Sequence, residues 1–149
     1  MRFLIQRVSH ASVATDSGPI AAIGPGLLVL CGYAHLDTPA TVSRLVDKCL
    51  NLRIFEDEQG KMNLAVLDVQ REILIVSQFT LYADCHKGRR PGFDRAMSPA
   101  GAESLFQVTF DEFRKSGLNV AAGLFGAKMQ VELINDGPVT ILLDDAELS

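Results

Sequence analysis

The sequence lacks several features that would assign it at once to a well-marked class of protein. No apolar run approaches the roughly 20 residues that a membrane-spanning helix needs. The three cysteines form no C-x-x-C pair and stand beside no histidine at zinc-ligand spacing, so neither a zinc site nor a disulfide framework is predicted. The G-x-S-x-G, Walker and dinucleotide-binding motifs are also missing. Any chemistry must therefore come from less familiar patterns.

An excess of positive charge is missing as well. Lysine and arginine number 14 against 18 aspartate and glutamate residues, giving a net charge of −4, which argues against a non-specific nucleic-acid binder. The basic loop, residues Lys87 to Arg95, is an exception. Its four cations, Lys87, Arg89, Arg90 and Arg95, are opposed there only by Asp94. Such a patch can hold a few phosphates even on an acidic protein. A merely solvated loop would show the same pattern, so both interpretations stay open.

What the chain does have is enough apolar sequence for one well-buried core. Its 149 residues are 48% hydrophobic, which predicts a soluble globular chain forming a single domain over residues 1–149. The first residues, MRFLIQRVSHASV, alternate loosely and contain Arg2 and Arg7. This pattern is typical of a first strand and not of a signal peptide, so a cytoplasmic location is expected.

Two helices and many short strands are predicted from the hydrophobic periodicity. Thr38 with Pro39, and Ser98 with Pro99, are typical of helix starts, and an apolar stripe at helical spacing follows each pair. The predicted strands are Phe3–Val13, Ile20–Ile23, Leu27–Tyr33, Met62–Leu67, Glu72–Leu81, Val120–Leu124, Met129–Ile134 and Val139–Leu143. This order predicts an α+β fold, with mixed or antiparallel sheets partly closed into a barrel-like core and two main helices packed outside.

The strand predicted at Glu72–Leu81 contains polar residues where a core strand would carry apolar ones. Because side chains alternate along a strand, Ser77 and Phe79 would share one face, and Gln78 and Thr80 the other. Both faces thus become polar at the same level, as in a strand that opens onto a cleft. Bonding of these side chains to neighbouring backbone is the simpler alternative.

A second unusual stretch is NDGPVT, at Asn135–Thr140. Asn, Asp, Gly and Pro together indicate a turn, and the simplest interpretation is a hairpin between the last two strands. A sharper interpretation is a Gly137–Pro138 peptide bond held in the cis form. Elsewhere, Cys85 and His86 invite comparison with a thiolate–imidazole pair, but adjacent side chains on an extended chain point apart.

Taken together, SQFTLYAD at Ser77–Asp84 and NDGPVT resemble the two signature motifs of the D-aminoacyl-tRNA deacylases, also called D-Tyr-tRNA deacylases. Further stretches resemble the family in the same order along nearly the whole chain: QRVSHASV, IGPGLLVL, NLRIFEDEQGKMNLAVLD, KGRRPGF and GLFGAKMQVELINDGPVT. Two positions that flank the implied site depart from the family: Leu124 stands where a more polar residue is expected, and Gly92 where serine is common. These departures concern details of tRNA contact and not the reaction class.

The resemblance implies a homodimeric, cytoplasmic editing enzyme without a metal or organic cofactor. It would hydrolyse the ester between a D-amino acid, or glycine, and the terminal adenosine of tRNA. The residues implied as catalytic or lining the pocket are Ser77, Gln78, Phe79 and Thr80, with Met129 beside them. Gly137 and Pro138 would enter the partner subunit's pocket, and Lys87, Arg89 and Arg90 are expected to contact acceptor-stem phosphates.

The chemistry implied by the resemblance can be stated in physical terms. The enzyme would have to reject every L-amino acid whatever its side chain. Rigid backbone that clashes with any L side chain would do so, and glycine, which has no side chain, would still be accepted. Backbone N–H groups near Phe79 and Thr80 are candidate donors to the developing oxyanion. Thr80 has no base beside it in sequence, so it is expected to position substrate or form a pocket wall, while the 2′-hydroxyl of the tRNA assists.

Three other functions remain open at this point. A related deacylase with relaxed chirality could use the same scaffold, with a trans Gly137–Pro138 bond. A non-catalytic RNA-binding module could use the same basic loop. A cysteine hydrolase could use Cys85 and His86. Release of D-tyrosine but not L-tyrosine from tRNA would favour the D-aminoacyl-tRNA deacylase over the first two, and full activity of Cys85→Ala would exclude the third.

Overall fold

The computed structural model describes residues 1–148, which form eight β-strands and two α-helices. The strands are β1 (Arg2–Thr15), β2 (Gly18–Ile23), β3 (Gly26–Gly32), β4 (Phe55–Glu56), β5 (Met62–Leu64), β6 (Glu72–Ser77), β7 (Val120–Ala122) and β8 (Gln130–Asp144). The helices are α1 (Pro39–Asn51) and α2 (Pro99–Arg114), and short 3₁₀ helices cover Phe79–Tyr82 and Asp145–Glu147. No helix in this part of the chain is long and apolar enough to cross a membrane.

Strand β1 is the centre of the main sheet because it pairs with three other strands. Its first half, Arg2–Val8, lies antiparallel to β3, and its second half, Ala11–Thr15, lies antiparallel to β2. Strand β8 runs antiparallel along the opposite edge of β1 over almost its whole length. Strands β6 and β7 then extend the sheet from β3 in parallel. The mixed sheet is nearly closed into a barrel with two helices, which confirms the predicted α+β class.

Both helices begin where the sequence predicts. The Thr38 hydroxyl accepts a hydrogen bond from the Thr41 N–H, and Pro39 occupies the first turn, where its missing N–H does no harm. Ser98 precedes Pro99 in the same way, but its side chain makes no capping bond. The apolar stripe of α1 is fully buried and includes Val42, Leu45 and Cys49. The helices therefore cover one face of the sheet.

The hydrophobic core has two layers, one on each face of the sheet. The larger layer joins the helices to Phe3, Ile5 and neighbouring strands, with Phe3 stacked on Phe113 of α2 at 5.8 Å. The smaller layer lies on the other face and consists of Val8, Ala11, Val13, Ile23, Leu28, Leu74 and Val76. Irregularities in the β1–β8 register near Val8 shift the alternation of side chains along β1. Val8, at an even position, and Ala11 and Val13, at odd positions, therefore all belong to this second layer.

Two interpretations at the signature motifs are wrong, one of a strand and one of a hairpin. The predicted strand Glu72–Leu81 ends at Ser77: the bond from the Gln78 N–H to the Cys31 carbonyl is the last of the β3–β6 ladder, and the chain then turns into the 3₁₀ helix. Thr80 and Phe79 therefore do not alternate as strand residues would.

The predicted hairpin at Asn135–Thr140 is also wrong. Val8 pairs with Asn135 and Gln6 pairs with Thr140, so both flanking segments run along the same edge of β1 in the same direction. Residues 136–139 form an excursion from one continuous strand, opposite the single residue Arg7. The hairpin prediction failed because turn-forming residues indicate a bend but not whether the chain reverses.

Candidate active site

A large cavity opens between the end of β6, the start of α2 and the segment before β8. Its volume is about 730 Å³, enough for a nucleoside-sized ligand. Its lining is Cys31, Tyr33, Val76, Ser77, Gln78, Phe79, Phe93, Ala96, Met97, Ser98, Pro99, Ala102, Phe125, Gly126, Ala127, Met129 and Val131. None of these side chains carries a formal charge at neutral pH, so the cavity offers aromatic and amide surfaces and not ion pairs.

The first signature motif forms one wall of this cavity. Ser77, Gln78 and Phe79 line it, at the point where β6 gives way to the 3₁₀ helix. The Gln78 N–H is bound to the Cys31 carbonyl at 2.7 Å, which ties the turn to the neighbouring strand β3. Phe79 is 57% exposed, an unusual exposure for a large aromatic ring. The structure thus brings three of the four predicted residues to the cavity.

Thr80, the fourth, directly follows Phe79 but is absent from the residues that line the cavity of this chain. Its hydroxyl accepts a hydrogen bond from the side-chain amide of Gln78. Among residues 1–148, neither a histidine nor a carboxylate forms a hydrogen bond with this hydroxyl. A threonine without such a base is a poor nucleophile, and the contact instead orients the Gln78 amide.

Met129, implied by the family resemblance, also lines the cavity. The Leu124 N–H lies 3.3 Å from the Met129 sulfur, and the Phe125 ring packs at 5.9 Å from Phe106 of α2. A β-carbon added to Gly123 would approach the Met129 sulfur to 3.0 Å, so the absence of a side chain at Gly123 gives Met129 its place. This part of the lining was only partly predicted, because nothing in its sequence distinguishes Phe125 from a core aromatic.

The floor of the cavity is buried and uncharged. Burial raises the pKa of the Cys31 thiol and of the Tyr33 phenol, in both cases well above the usual value. The Tyr33 hydroxyl is 2.9 Å from the Thr109 hydroxyl, and the Cys31 thiol donates to the Val29 carbonyl. Both groups therefore keep their protons at neutral pH, and neither supplies a base.

The basic loop adjoins the cavity rim. Asp84 and Gly92 exchange two backbone hydrogen bonds of 2.8 Å, which close the loop at its neck. Phe93 packs its ring edge against Phe79 with centroids 4.9 Å apart, so the loop is joined to the cavity wall. The predicted phosphate-binding residues on this loop are fully available: Lys87, Arg89 and Arg90 are exposed, and none has an ion-pair partner among residues 1–148.

Arg95, the fourth cation of this stretch, is engaged differently. Its guanidinium lies 5.8 Å from the centre of the Tyr82 ring, and Arg2 lies over the same ring at 4.7 Å. Arg2 also donates to the Leu81 carbonyl at 2.8 Å and pairs with Asp144. These contacts fix the 3₁₀ helix from its far end.

Cys85 and His86 form no hydrogen bond with each other in the described part of the chain, and Cys85 does not line the cavity. His86 Nδ1 lies 2.6 Å from a carboxylate oxygen of Asp84, and the His86 backbone N–H donates to the same oxygen. The backbone hydrogen bond, together with that of the ring, holds the pKa of Asp84 below its usual value. The imidazole is thus engaged by a carboxylate in an exposed loop. In residues 1–148 no cluster of three or more metal-ligating side chains is found.

The second signature motif presents Gly137 and Pro138 on an exposed excursion of β8. The peptide bond between them is cis. Neither residue lines the cavity of its own chain. Arg7, which is 6% exposed, donates to the Asp136 carbonyl at 2.8 Å and to the Ile54 carbonyl at 2.6 Å.

Asn135 binds both backbone groups of Val139 with its side-chain amide. Sequence reasoning did not assign a role to either Arg7 or Asn135. For Arg7, the sequence signal that could have indicated its role was the presence of an arginine inside the predicted first strand.

Comparison with known proteins gives a consistent result over nearly the whole chain. Residues 4–144 match the family model described as D-Tyr-tRNA(Tyr) deacylase. Curated proteins named D-aminoacyl-tRNA deacylase include one from Clostridioides difficile, 52% identical over 99% of both chains, and one from Myxococcus xanthus, 51% identical over 97% of this chain and 94% of the relative.

Solved structures agree. One, described as c-Myc DNA Unwinding Element Binding Protein, is 45% identical with a TM-score of 0.91 and covers 97% of this chain and 98% of its own. Another, described as a probable eukaryotic D-amino acid tRNA deacylase, is 17% identical with a TM-score of 0.83, covering 95% of this chain and 97% of its own. The second shows likeness of fold alone.

Proposed function

Since the chain belongs to the D-Tyr-tRNA(Tyr) deacylase family, we propose that it hydrolyses the ester bond of D-aminoacyl-tRNA as a translation-editing enzyme in the cytoplasm. The observation that carries this proposal is the uncharged cavity walled by Ser77, Gln78 and Phe79, at the family's own motif. The activity is assigned to residues 1–149 as one domain. No cofactor enters the proposed mechanism.

The basic loop brings the substrate to the cavity. Lys87, Arg89 and Arg90 are exposed cations without ion-pair partners in residues 1–148, and their attraction for acceptor-stem phosphates needs no base sequence. The Phe79–Phe93 contact joins this loop to the cavity. The terminal nucleoside then enters a cavity with aromatic rings on which a base can stack.

The chemical step depends on backbone donors and on the substrate itself. Phe79, which lines the cavity, and Thr80, the next residue, lie where β6 has ended and the 3₁₀ helix begins. Their N–H groups lack ladder partners, and at this edge of the cavity they can donate to the oxyanion of the ester. The cavity lining holds no carboxylate, imidazole or ionised thiol to activate water. The neighbouring 2′-hydroxyl of the ribose is the remaining group close to the ester, and we assign it the assisting role.

Handedness is read by the Gly137–Pro138 dipeptide of a second subunit. The dipeptide is exposed and does not line the cavity of its own chain, which leaves it free to enter the cavity of a partner. Backbone in this position excludes an L side chain whatever its identity, because the clash precedes any side-chain contact. Glycine carries nothing to clash and is accepted as a substrate.

The free edge of β8 supports the homodimer on which this filter depends. Within residues 1–148, strand β8 pairs only with β1, which leaves its other edge open over Gln130–Asp144. Ile134 and Leu142 on this strand are 60% and 53% exposed, unusual for large apolar residues. An open strand edge with apolar side chains is a surface that a second copy can cover.

Incubation with D-Tyr-tRNA and L-Tyr-tRNA tests the proposal. We expect substoichiometric enzyme to release D-tyrosine in many turnovers and to leave L-Tyr-tRNA intact. Release of both would favour the related deacylase with relaxed chirality. Binding of nucleic acid without any release would favour a non-catalytic binding module, a second candidate supported by the similarity to the c-Myc DNA Unwinding Element Binding Protein.

A further inference from the structure

The excursion that carries Gly137 and Pro138 has no strand partner of its own among residues 1–148. Between the pairs Gln6–Thr140 and Val8–Asn135, strand β1 contributes only Arg7, whereas β8 contributes residues 136–139. The backbone groups of these residues cannot all join the β1–β8 ladder, and other contacts must hold them. The position of the dipeptide thus depends on what closes the neck of the excursion.

The side chain of Asn135 closes that neck. Its Oδ1 accepts the Val139 N–H at 2.7 Å, and its Nδ2 donates to the Val139 carbonyl at 3.1 Å. The N–H and C=O of one extended residue point to the same side, so a single planar amide pairs both, as a peptide group of a partner strand would.

Thr140 provides a second connection at the neck. Its hydroxyl accepts from Asn135 Nδ2 at 3.1 Å and from Gln6 Nε2 at 3.4 Å. The Asn135 amide is therefore itself held against β1.

Gly137 and Pro138 themselves are exposed, and glycine is the residue with the greatest backbone freedom. A filter based on a clash works only if its atoms stay in place, since a displacement of about 1 Å is enough to change reactivity strongly. We propose that Asn135 is a positioning residue for handedness: its amide clamps Val139 and so fixes the Gly137–Pro138 carbonyls that exclude L-aminoacyl esters. This inference rests on the proposed function and adds a residue to it.

Two substitutions at position 135 separate this role from general stability. Asn135→Asp keeps an acceptor for the Val139 N–H but removes both donated bonds, and Asn135→Ala removes all of them. We expect kcat/KM for L-Tyr-tRNA to rise about tenfold or more relative to that for D-Tyr-tRNA, the factor that one hydrogen bond represents. Turnover of D-Tyr-tRNA should change less than this ratio.

The matched control is Asn119→Asp, an exposed asparagine just before β7, outside the cavity lining and outside β8. It should leave the D/L ratio unchanged. Thr140→Val should shift the ratio in the same direction as Asn135→Asp, and Thr140→Ser, which restores a hydroxyl, should return it towards wild type. These variants also test the inference if Asn135→Ala does not fold.

An unchanged D/L ratio in folded Asn135→Asp would overturn the inference. A parallel fall of both activities with a lower melting temperature would overturn it too, because it would show a purely structural role. Wild-type protein that releases no D-tyrosine would reject the proposed function, and with it this inference. If the wild type is selective and Asn135→Asp has the same D/L ratio as the wild type, only the inference is rejected and the proposed function stands.

Discussion

Arg7 Nε lies 2.8 Å from the backbone carbonyl oxygen of Asp136, to which it donates a hydrogen bond across strands β1 and β8. The same guanidinium donates from Nη1 to the Ile54 carbonyl at 2.6 Å and is almost completely buried. One charged side chain therefore ties the base of the Gly137–Pro138 excursion to the segment between α1 and β4.

Replacement of Arg7 by methionine should destabilise the fold substantially. It leaves two carbonyls without their charged donor, so we expect the free energy of unfolding to fall by about 2–4 kcal/mol in urea titrations. The control is Arg44→Met, which removes an exposed bidentate pair with Asp145. That change should be below about 1 kcal/mol. Equal effects of the two substitutions would contradict the structural role given to Arg7.

Replacement of Lys87, Arg89 and Arg90 together by glutamine should weaken tRNA binding and flatten its dependence on salt. Each phosphate contact that the substitutions remove should reduce the slope of log K against log salt by roughly 0.9. An equal number of exposed cations elsewhere, Lys48, Arg53 and Lys61, provides the charge-matched control. If both triple variants showed the same slope, the basic loop would be ordinary solvated surface.

Thr80→Val should retain most of the turnover. Its hydroxyl has no base among residues 1–148 and its contact is with the Gln78 amide, so we expect single-turnover rates on D-Tyr-tRNA within about tenfold of wild type. Thr80→Ser, which keeps the hydroxyl, is the conservative comparison. A loss of several orders of magnitude confined to the valine variant would identify Thr80 as a nucleophile instead.

The three cysteines should differ sharply in reactivity. Burial raises the pKa of Cys49 to about 12 and that of Cys31 well above its usual value. Because a raised pKa means that the thiol stays protonated below it, neither forms appreciable thiolate at pH 8. Cys85 is exposed. Iodoacetamide at pH 8 should therefore label Cys85 alone in the folded protein and all three in urea, as read by mass spectrometry.

Cys85 also separates the deacylase from a cysteine hydrolase. Cys85→Ala should keep full activity on D-Tyr-tRNA, because Cys85 is exposed on the basic loop, does not line the cavity and forms no hydrogen bond with His86 in residues 1–148. Abolished turnover in this variant would restore the hydrolase interpretation.

Much of the fold could be predicted from the sequence. The starts of both helices followed from Thr38–Pro39 and Ser98–Pro99, and most strands from apolar runs, since these signals are local. The path of the signature motifs could not be predicted in the same way. Glu72–Leu81 has strand composition throughout, but the ladder with β3 ends with the bond from Gln78 to Cys31, and the chain then turns into the 3₁₀ helix.

The sequence by itself determined which residue types stand together: an uncharged motif at Ser77–Thr80, a turn-forming motif at Asn135–Thr140 and a basic loop between them. Only the tertiary structure decided their geometry. It brought Met129 and Phe125 to the cavity that Gln78 lines, left Thr80 out of that lining, and made Asn135–Thr140 an excursion instead of a hairpin. The reason is physical: local propensities act over a few residues, whereas these outcomes depend on pairing with β1 and β3, far away along the chain.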